Sequence, residues 1–348
     1  MVLLRRAAPF FLAALWLGSA ARGQEISTAA AVPVSSAPAV AATLTAVGDM
    51  RLDGPVGEII RRDGAAAPTA AIRERLQADI VFGNLECPVT RGGVRALGKT
   101  WTFRAPARNL EALQAAGFNL LNIANNHVMD YGPAGFRDTL AALEAAGLPF
   151  IGGGKDRAEA ERLHVVTVRG LRVGLMGFTS TFPESAWAGP RKPGVAYSDY
   201  ARAGELIRQA RLRCDALVVS FHGGTELAEE PNEIQKAFAH LAIDSGADAF
   251  IGHHPHVIQP LELYKGKPIV YSLGNFLFVS PHAETRLTVA ARVRLSAQGI
   301  DGIDFLPVDT NWGRPIPATA AQRSELLRAL DRYGALSAQP QRFQVLER

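Results

Sequence analysis

The chain has 348 residues, 48% hydrophobic and 20% charged, with two cysteines and a formal net charge of +4. That composition supports a packed core and excludes global disorder, a disulfide scaffold and a cysteine-rich zinc or iron–sulfur site. Arg5, Arg6 and Arg22 lie in the first 23 residues, which carry no acid; setting them aside leaves 34 of the 37 basic residues against 33 acidic ones, and no basic stripe with interleaved aromatics argues for nucleic acid.

In chain order, Arg5-Arg6 precede an apolar run, Ala7–Leu17, and small residues at Ala21 and Gly23. This is the layout of a secretory signal peptide over 1–23, with the run well short of the roughly 20 residues that span a bilayer. An uncleaved N-terminal anchor is the alternative, and the only membrane association the sequence offers. The mature chain is expected to be secreted or periplasmic. Residues 24–42, rich in Ala, Val, Ser and Pro without a period, read as a linker. One folded domain is expected over 43–335, with a C-terminal tail at 336–348.

Within that domain short apolar runs alternate with helical patterns. Strands are expected at 43–47, 79–82, 119–124 and 148–151, and helices at 68–78, 106–116 and 133–146. A hairpin follows at 163–169 and 172–178, about Gly170. A helix at 199–213, a strand at 216–221, a helix at 231–245 and a strand at 247–251 come next. Further β segments are expected at 257–264, 268–273, 286–295 and 303–308, and a closing helix at 320–333 with Thr319 as N-cap. Strand–helix alternation gives βαβ units and a largely parallel sheet, and the later β-rich run gives a second sheet packed on the first. The fold class is therefore α/β with two sheets.

Five of these strands end in short loops of polar side chains: Asp49; Asn84 and Glu86; Asn125, Asn126 and His127; His222 with Glu226; and His253, His254 and His256. In parallel α/β sheets the carboxyl ends of the strands converge on one edge, where ligands bind. Five of the eight histidines lie in these loops. Taken singly, Asp49 reads as a cap, Glu86 as a surface acid before Pro88, and His222 as a satisfied core histidine. Gly252-His253-His254-Pro255-His256 is the most specific signal, with three imidazoles in four residues at a strand terminus. A divalent cation compensates such a cluster, and His with carboxylate ligands suits zinc, manganese or iron.

These same residues carry a family resemblance. Gly48-Asp49, Asn84-Leu85-Glu86, Asn125-Asn126-His127-Val128-Met129-Asp130-Tyr131-Gly132, His222-Gly223-Gly224-Thr225-Glu226, Gly252-His253-His254-Pro255-His256 and Ser272-Leu273-Gly274-Asn275-Phe276 resemble, in order, the motifs of the CapA-type capsule-synthesis family, which includes poly-γ-glutamate capsule biosynthesis proteins. The resemblance covers roughly residues 43–280. That family is similar in turn to the calcineurin-like metallophosphoesterases, which implies an αββα sandwich of two sheets with a metal site, for one or two ions, at the strand ends. By that similarity Asp49, Glu86, Asn126, His222 and two of His253, His254 and His256 are metal ligands. His127 is the acid that protonates a leaving group, with Asp130 as its orienting partner. Arg51, Asn84, Asn125 and Glu226 are the expected substrate contacts.

Two departures stand out: Met50-Arg51 replaces the x-His that usually follows the first Asp, and Glu86 replaces a bridging Asp. The resemblance implies either a metal-dependent phosphoester hydrolase outside the cytoplasm, or a non-catalytic component that binds an anionic polymer such as poly-γ-glutamate during export. The loops at 88–105 and 179–198 are expected to overhang the site. Cys87 and Cys214 are open between buried free thiols and a disulfide. Oligomeric state is silent in the sequence.

Overall fold

Alternating apolar residues decide which layer each strand joins. In a computed structural model, which describes residues 41–347, β1 (Ala42–Met50), β2 (Ile80–Leu85), β3 (Leu120–Asn122) and β4 (Phe150–Ile151) run parallel in a first sheet. β5 (Gly153–Gly154) forms a two-residue ribbon with β8 (Gly194–Val195). β6 (His164–Val168) and β7 (Leu171–Thr179) make the expected hairpin. With β9 (Ala216–His222), β10 (Ala249–His253), β11 (Leu261–Tyr264) and β12 (Lys267–Val270) they form a second sheet, in the order β11-β12-β10-β9-β7-β6. β13 (Leu287–Ser296) and β14 (Gly299–Asp309) return to the first sheet as an antiparallel hairpin beside β1, and β15 (Ile316–Pro317) and β16 (Phe343–Val345) pair with β14.

Period-two alternation splits the core into three parts. Leu44, Ala46, Ile80 and Phe82 from the first sheet meet Val173, Val218, Ile251 and Val270 from the second, and fill the space between the sheets. Val47 and Val81 point the other way, onto Val56, Leu113, Phe136 and Leu140 of the helices outside the first sheet. Leu217, Val219 and Phe250 pack on Ile207, Phe238 and Ile243 outside the second. Three apolar layers between four sets of elements give the αββα arrangement that the resemblance implies. Cys87 and Cys214 are free, buried and in different layers.

One segment stitches the two sheets together. Between β12 and β13, Asp49 N–H donates to Gly274 O at 3.0 Å and Phe276 N–H to Asp49 O at 2.8 Å, while Leu273 N–H reaches Gly252 O at 3.3 Å. Segment 273–276 thus touches β1 of one sheet and β10 of the other, just where the polar loops begin.

Several expectations are corrected. The helix expected at 68–78 is confined to Arg73–Leu76. A helix at Gly54–Asp63, with proline in its first turn, was not expected, because only Val56, Ile59 and Ile60 mark its buried face. The first sheet is mixed rather than largely parallel, since β13 and β14 run antiparallel in it, and the second sheet is built from β6, β7, β9 and β10 with only β11 and β12 of the later β-rich run. The segment expected as a tail contains β16, and Phe343 is buried in the layer between the sheets. The signal segment, and the linker up to residue 40, lie outside the described residues. Among the described residues no helix is long and apolar enough to cross a membrane.

Candidate functional site

The parallel strands of both sheets deliver their polar loops to one rim. Asp49, Asn84, Glu86, His222 and His253 are wholly buried there. Glu86, His254 and His256 present ligand atoms within 4.8 Å of one another, and so do Asp49, Glu86 and His222, with Glu86 common to both groups. His222 Nε2 lies 2.9 Å from Asn126 Oδ1 and 3.5 Å from Glu86 Oε1. His256 Nδ1 lies 2.8 Å from Asn275 Oδ1 and 3.3 Å from Asp49 Oδ2. His253 Nδ1 is 3.6 Å from Asp49 Oδ1, and His253 belongs to neither group.

The backbone is bent to achieve this. His254 and His256 both have positive φ, 99° and 60°. Such conformations cost about 1–3 kcal/mol each and persist only where the surroundings fix them. Here His254 N–H donates to Asp49 Oδ2 at 3.1 Å, and Pro255 O accepts from Leu227 N–H at 2.9 Å.

Burial and mutual charge set the protonation. Burial alone pushes the Asp49 carboxyl up, but the hydrogen bond and charge of His256, with His222 and His253, hold it below the usual carboxylate range. Burial, joined by the Asp49 charge, pushes Glu86 well above its ordinary value. Burial also depresses His222, His253 and His254, the last to about 3, so all three are neutral donors at pH 7. His256 is the exception: against burial, the charges of Glu86 and Asp49 and hydrogen bonds to Asp49 and Asn275 lift it to about 10.

Beside this cluster stands a second assembly. His127 Nδ1 is 2.8 Å from Asp130 Oδ2, and Asp130 is wholly buried. The same oxygen accepts from Phe103 N–H at 2.8 Å, and Lys99 Nζ donates to Asp130 Oδ1 at 2.5 Å and to Asn126 O at 2.6 Å. The Phe103 ring stacks on the His127 imidazole at 4.1 Å, and the Arg51 guanidinium also lies over the ring, 3.7 Å from its centroid. Arg51 Nε is held by Asp53 Oδ1 at 2.6 Å. Burial lowers the His127 pKa, opposed by its hydrogen bond to Asp130.

Whether these residues fit a divalent ion is tested by their unmet bonds. Both Glu86 oxygens, both His253 nitrogens, His254 Nδ1 and Asn275 Nδ2 are buried without a hydrogen-bond partner. An orphaned buried polar atom costs about 1–3 kcal/mol, more if charged. The carboxylate oxygens and imidazole nitrogens of three such residues at one place fit a divalent transition metal or zinc, whereas the Asn275 amide NH2 offers no lone pair to an ion.

The expected site residues therefore gather, with two corrections. Asn84 and Asn125 do not face a substrate. Both are buried, and their bonds are spent on the scaffold: Asn84 Nδ2 donates to Asp49 Oδ1 at 2.8 Å, and Asn125 Nδ2 to Asn84 Oδ1 at 3.0 Å and Leu85 O at 2.8 Å. Asn125 Oδ1 accepts the His127 and Val128 N–H groups. Arg51 and Glu226 do line an open cavity, next to His127 and His256. Sequence reading missed Lys99, Phe103 and the role of Asn275. The first two lie in the loop expected to overhang the site, where no local pattern distinguishes them; Asn275 had only its place in a motif.

With this geometry in hand, comparison with known proteins is informative. The family model described as "Bacterial capsule synthesis protein PGA_cap" matches residues 43–280. The capsule biosynthesis protein CapA of Bacillus anthracis is 33% identical over 302 residues, covering 84% of this chain and 74% of that one. The PGA biosynthesis protein CapA of Bacillus subtilis (strain 168) is 32% identical, covering 78% and 72%. Among solved structures, a hypothetical protein from Thermus thermophilus shares the fold with a TM-score of 0.50 at 17% identity, covering 77% of this chain and 99% of that one. A 5'-nucleotidase precursor from the same organism is similar at a TM-score of 0.46 and 17% identity, covering 85% and 60%.

Proposed function

The chain belongs to the bacterial capsule synthesis protein PGA_cap family, and from that premise we propose that it is a metal-dependent phosphoester hydrolase serving the assembly of an anionic polymer outside the cytoplasm. The observation that carries the reading is that both Glu86 oxygens and His254 Nδ1, which belong to the candidate ligand groups at the strand ends, are buried without a hydrogen-bond partner. Asp49, Glu86, His222, His254 and His256, with Asn126, would hold one or two ions of manganese, zinc or iron. When bound, such an ion supplies Lewis acidity and a water of lowered pKa.

The chain's own residues do the rest. Asp130 accepts the Nδ1 proton of His127, so that the imidazolium form, with its second proton on Nε2, would give that proton to a leaving oxygen. Lys99 fixes the far side of that carboxylate. Arg51, backed by Asp53 and stacked on Phe103, offers its remaining N–H groups to an anion. The signal-peptide layout of residues 1–23 in the sequence supports the location.

The test is hydrolysis of aryl phosphoesters by purified protein, stripped with a chelator and then resupplied with manganese or zinc. Activity is expected to vanish and return, and His127→Ala to lower kcat by about 10²–10⁴-fold, the usual share of a general acid–base group. Metal-saturated protein that stays inert, with activity on γ-glutamyl peptides instead, would reject the reading. The other reading, a non-catalytic polymer-binding component, is favoured by Met50-Arg51 standing where a further imidazole ligand is usual. It predicts unchanged surface-polymer assembly in cells carrying His127→Ala.

A pH prediction follows from the electrostatics. Without metal, Glu86 and His256 together keep at least one proton near neutral pH, because burial and the Asp49 charge raise Glu86 and the neighbouring carboxylates raise His256. An ion must expel what the pair holds, so affinity rises with pH. Calorimetric titration with manganese, in buffers of different ionisation enthalpy, is expected to show at least one proton released per ion and tighter binding at pH 8 than at pH 6. Equal affinity at both pH values would contradict this assignment.

A further inference from the structure

The donor cluster does not sit at the bottom of one pocket; it lies on the divide between two. One cavity, of about 140 Å³, is lined by Arg51, Phe103, Glu226, His127 and His256. The other, of about 340 Å³, is lined by Ser180, Thr181, Phe182, Ile234, Asn126 and His254. Three separate loops straddle the divide. Asn126 faces the second cavity and the adjacent His127 the first; His254 faces the second and His256 the first; Gly224 faces the second and Glu226 the first. Asp49, Glu86 and His222 are wholly buried beneath this line, and His254 and His256, which close on Glu86, stand on it. A reacting group held at Glu86, His254 and His256 therefore has open space on both sides.

Each side also offers an apolar surface to what lies in it. Trp101 is 66% exposed at the first cavity, and Phe182 and Ile234 are 64% and 51% exposed at the second. The charges differ: the first contains Arg51 and Glu226, while no Lys, Arg, Asp or Glu lines the second. A terminal phosphate has one organic substituent and would leave one of the two cavities empty. A phosphoryl group with two substituents carries one charge and fills both sides.

We propose that the substrate is a phosphodiester bound across the divide, with the leaving substituent in the first cavity and an uncharged organic substituent in the second. This rests on the phosphoester-hydrolase reading above. In the reaction water adds to phosphorus and the P–O bond toward the first cavity breaks. The leaving oxygen keeps the electron pair and takes a proton through His127, which lines that cavity. The attacking water gives up one proton in balance, and the product phosphomonoester retains the substituent in the second cavity.

The experiment compares diphenyl phosphate with phenyl phosphate by calorimetric binding to the manganese-loaded full-length protein, and bis(4-nitrophenyl) phosphate with 4-nitrophenyl phosphate as substrates. The diester is expected to bind at least 10-fold tighter. Phe182→Ala, which removes one wall of the second cavity, and Ile234→Trp, which obstructs its mouth, are each expected to erase that preference while changing monoester affinity by less than 2-fold. Equal or tighter binding of phenyl phosphate, no binding of diphenyl phosphate at millimolar concentration, or variants that weaken both ligands alike would overturn the proposal. Turnover reports separately: intact diester preference with no hydrolysis of either ester sinks the hydrolase reading and, with it, the leaving-group assignment.

Discussion

Replacing Glu86 by glutamine is expected to abolish metal-dependent activity, by more than about 10³-fold, while leaving the metal-free protein as stable as the parent to within about 1 kcal/mol. Glu86 alone belongs to both candidate ligand groups, and both its oxygens are buried without partners. Losing a ligand common to both groups should exceed the 10–100-fold cost of disturbing a ligand's support. Stability behaves differently because burial and the Asp49 charge push the Glu86 pKa well up and so favour the neutral acid that glutamine imitates. Bound metal at 100 times its Kd stabilises the parent by about 2.7 kcal/mol, and the variant should lose that gain. Thermal melts of both proteins with and without manganese measure the difference. A variant that melts far below the parent without metal, or keeps the full metal-dependent rise, contradicts this role.

The second large effect concerns the stitch between the sheets. Gly48→Ala is expected to destabilise the fold by more than about 3 kcal/mol, at the upper end for overpacking. A Cβ at Gly48 would fall 1.8 Å from Gly274 O and 2.7 Å from its carbonyl carbon, and backbone cannot step aside as a side chain can. The clash also pushes on Asp49, whose N–H bonds to that same Gly274 O. Equilibrium denaturation of the variant checks the magnitude. Surviving protein should bind metal more weakly, because Asp49 and the Asn275 partner of His256 shift together. A variant within 1 kcal/mol of the parent would show that β1 and segment 273–276 are not locked as described.

How much of this was legible in the sequence follows from what each feature depends on. The two sheets and their polar rim were legible, because a strand that runs out of apolar residues into Gly-Asp or Gly-His-His marks both its end and the edge it reaches. His127 and Asp130 were legible as a pair because they stand three positions apart in one loop. The buried supporting network was not. Asn84 and Asn125 look like exposed loop amides in sequence, and only the approach of β2 to the loop after β3 reveals that they bond to each other and that Asn84 bonds to Asp49. Lys99 and Phe103 reach His127 and Asp130 from a loop about 25–30 residues earlier, a contact that no periodicity encodes. The helix at Gly54–Asp63 escaped for a different reason: two glycines and three buried apolar residues in one short stretch leave too weak a period.

The central claim is that acids and imidazoles from the ends of strands in two sheets hold a divalent ion. It is tested most directly by anomalous diffraction from crystals of the protein soaked in manganese. The account predicts a peak bonded to a Glu86 carboxylate oxygen and a His254 or His256 nitrogen, at about 2.0–2.3 Å. Crystals that take up manganese only at surface carboxylates, with the Glu86 oxygens still without a partner, would contradict it.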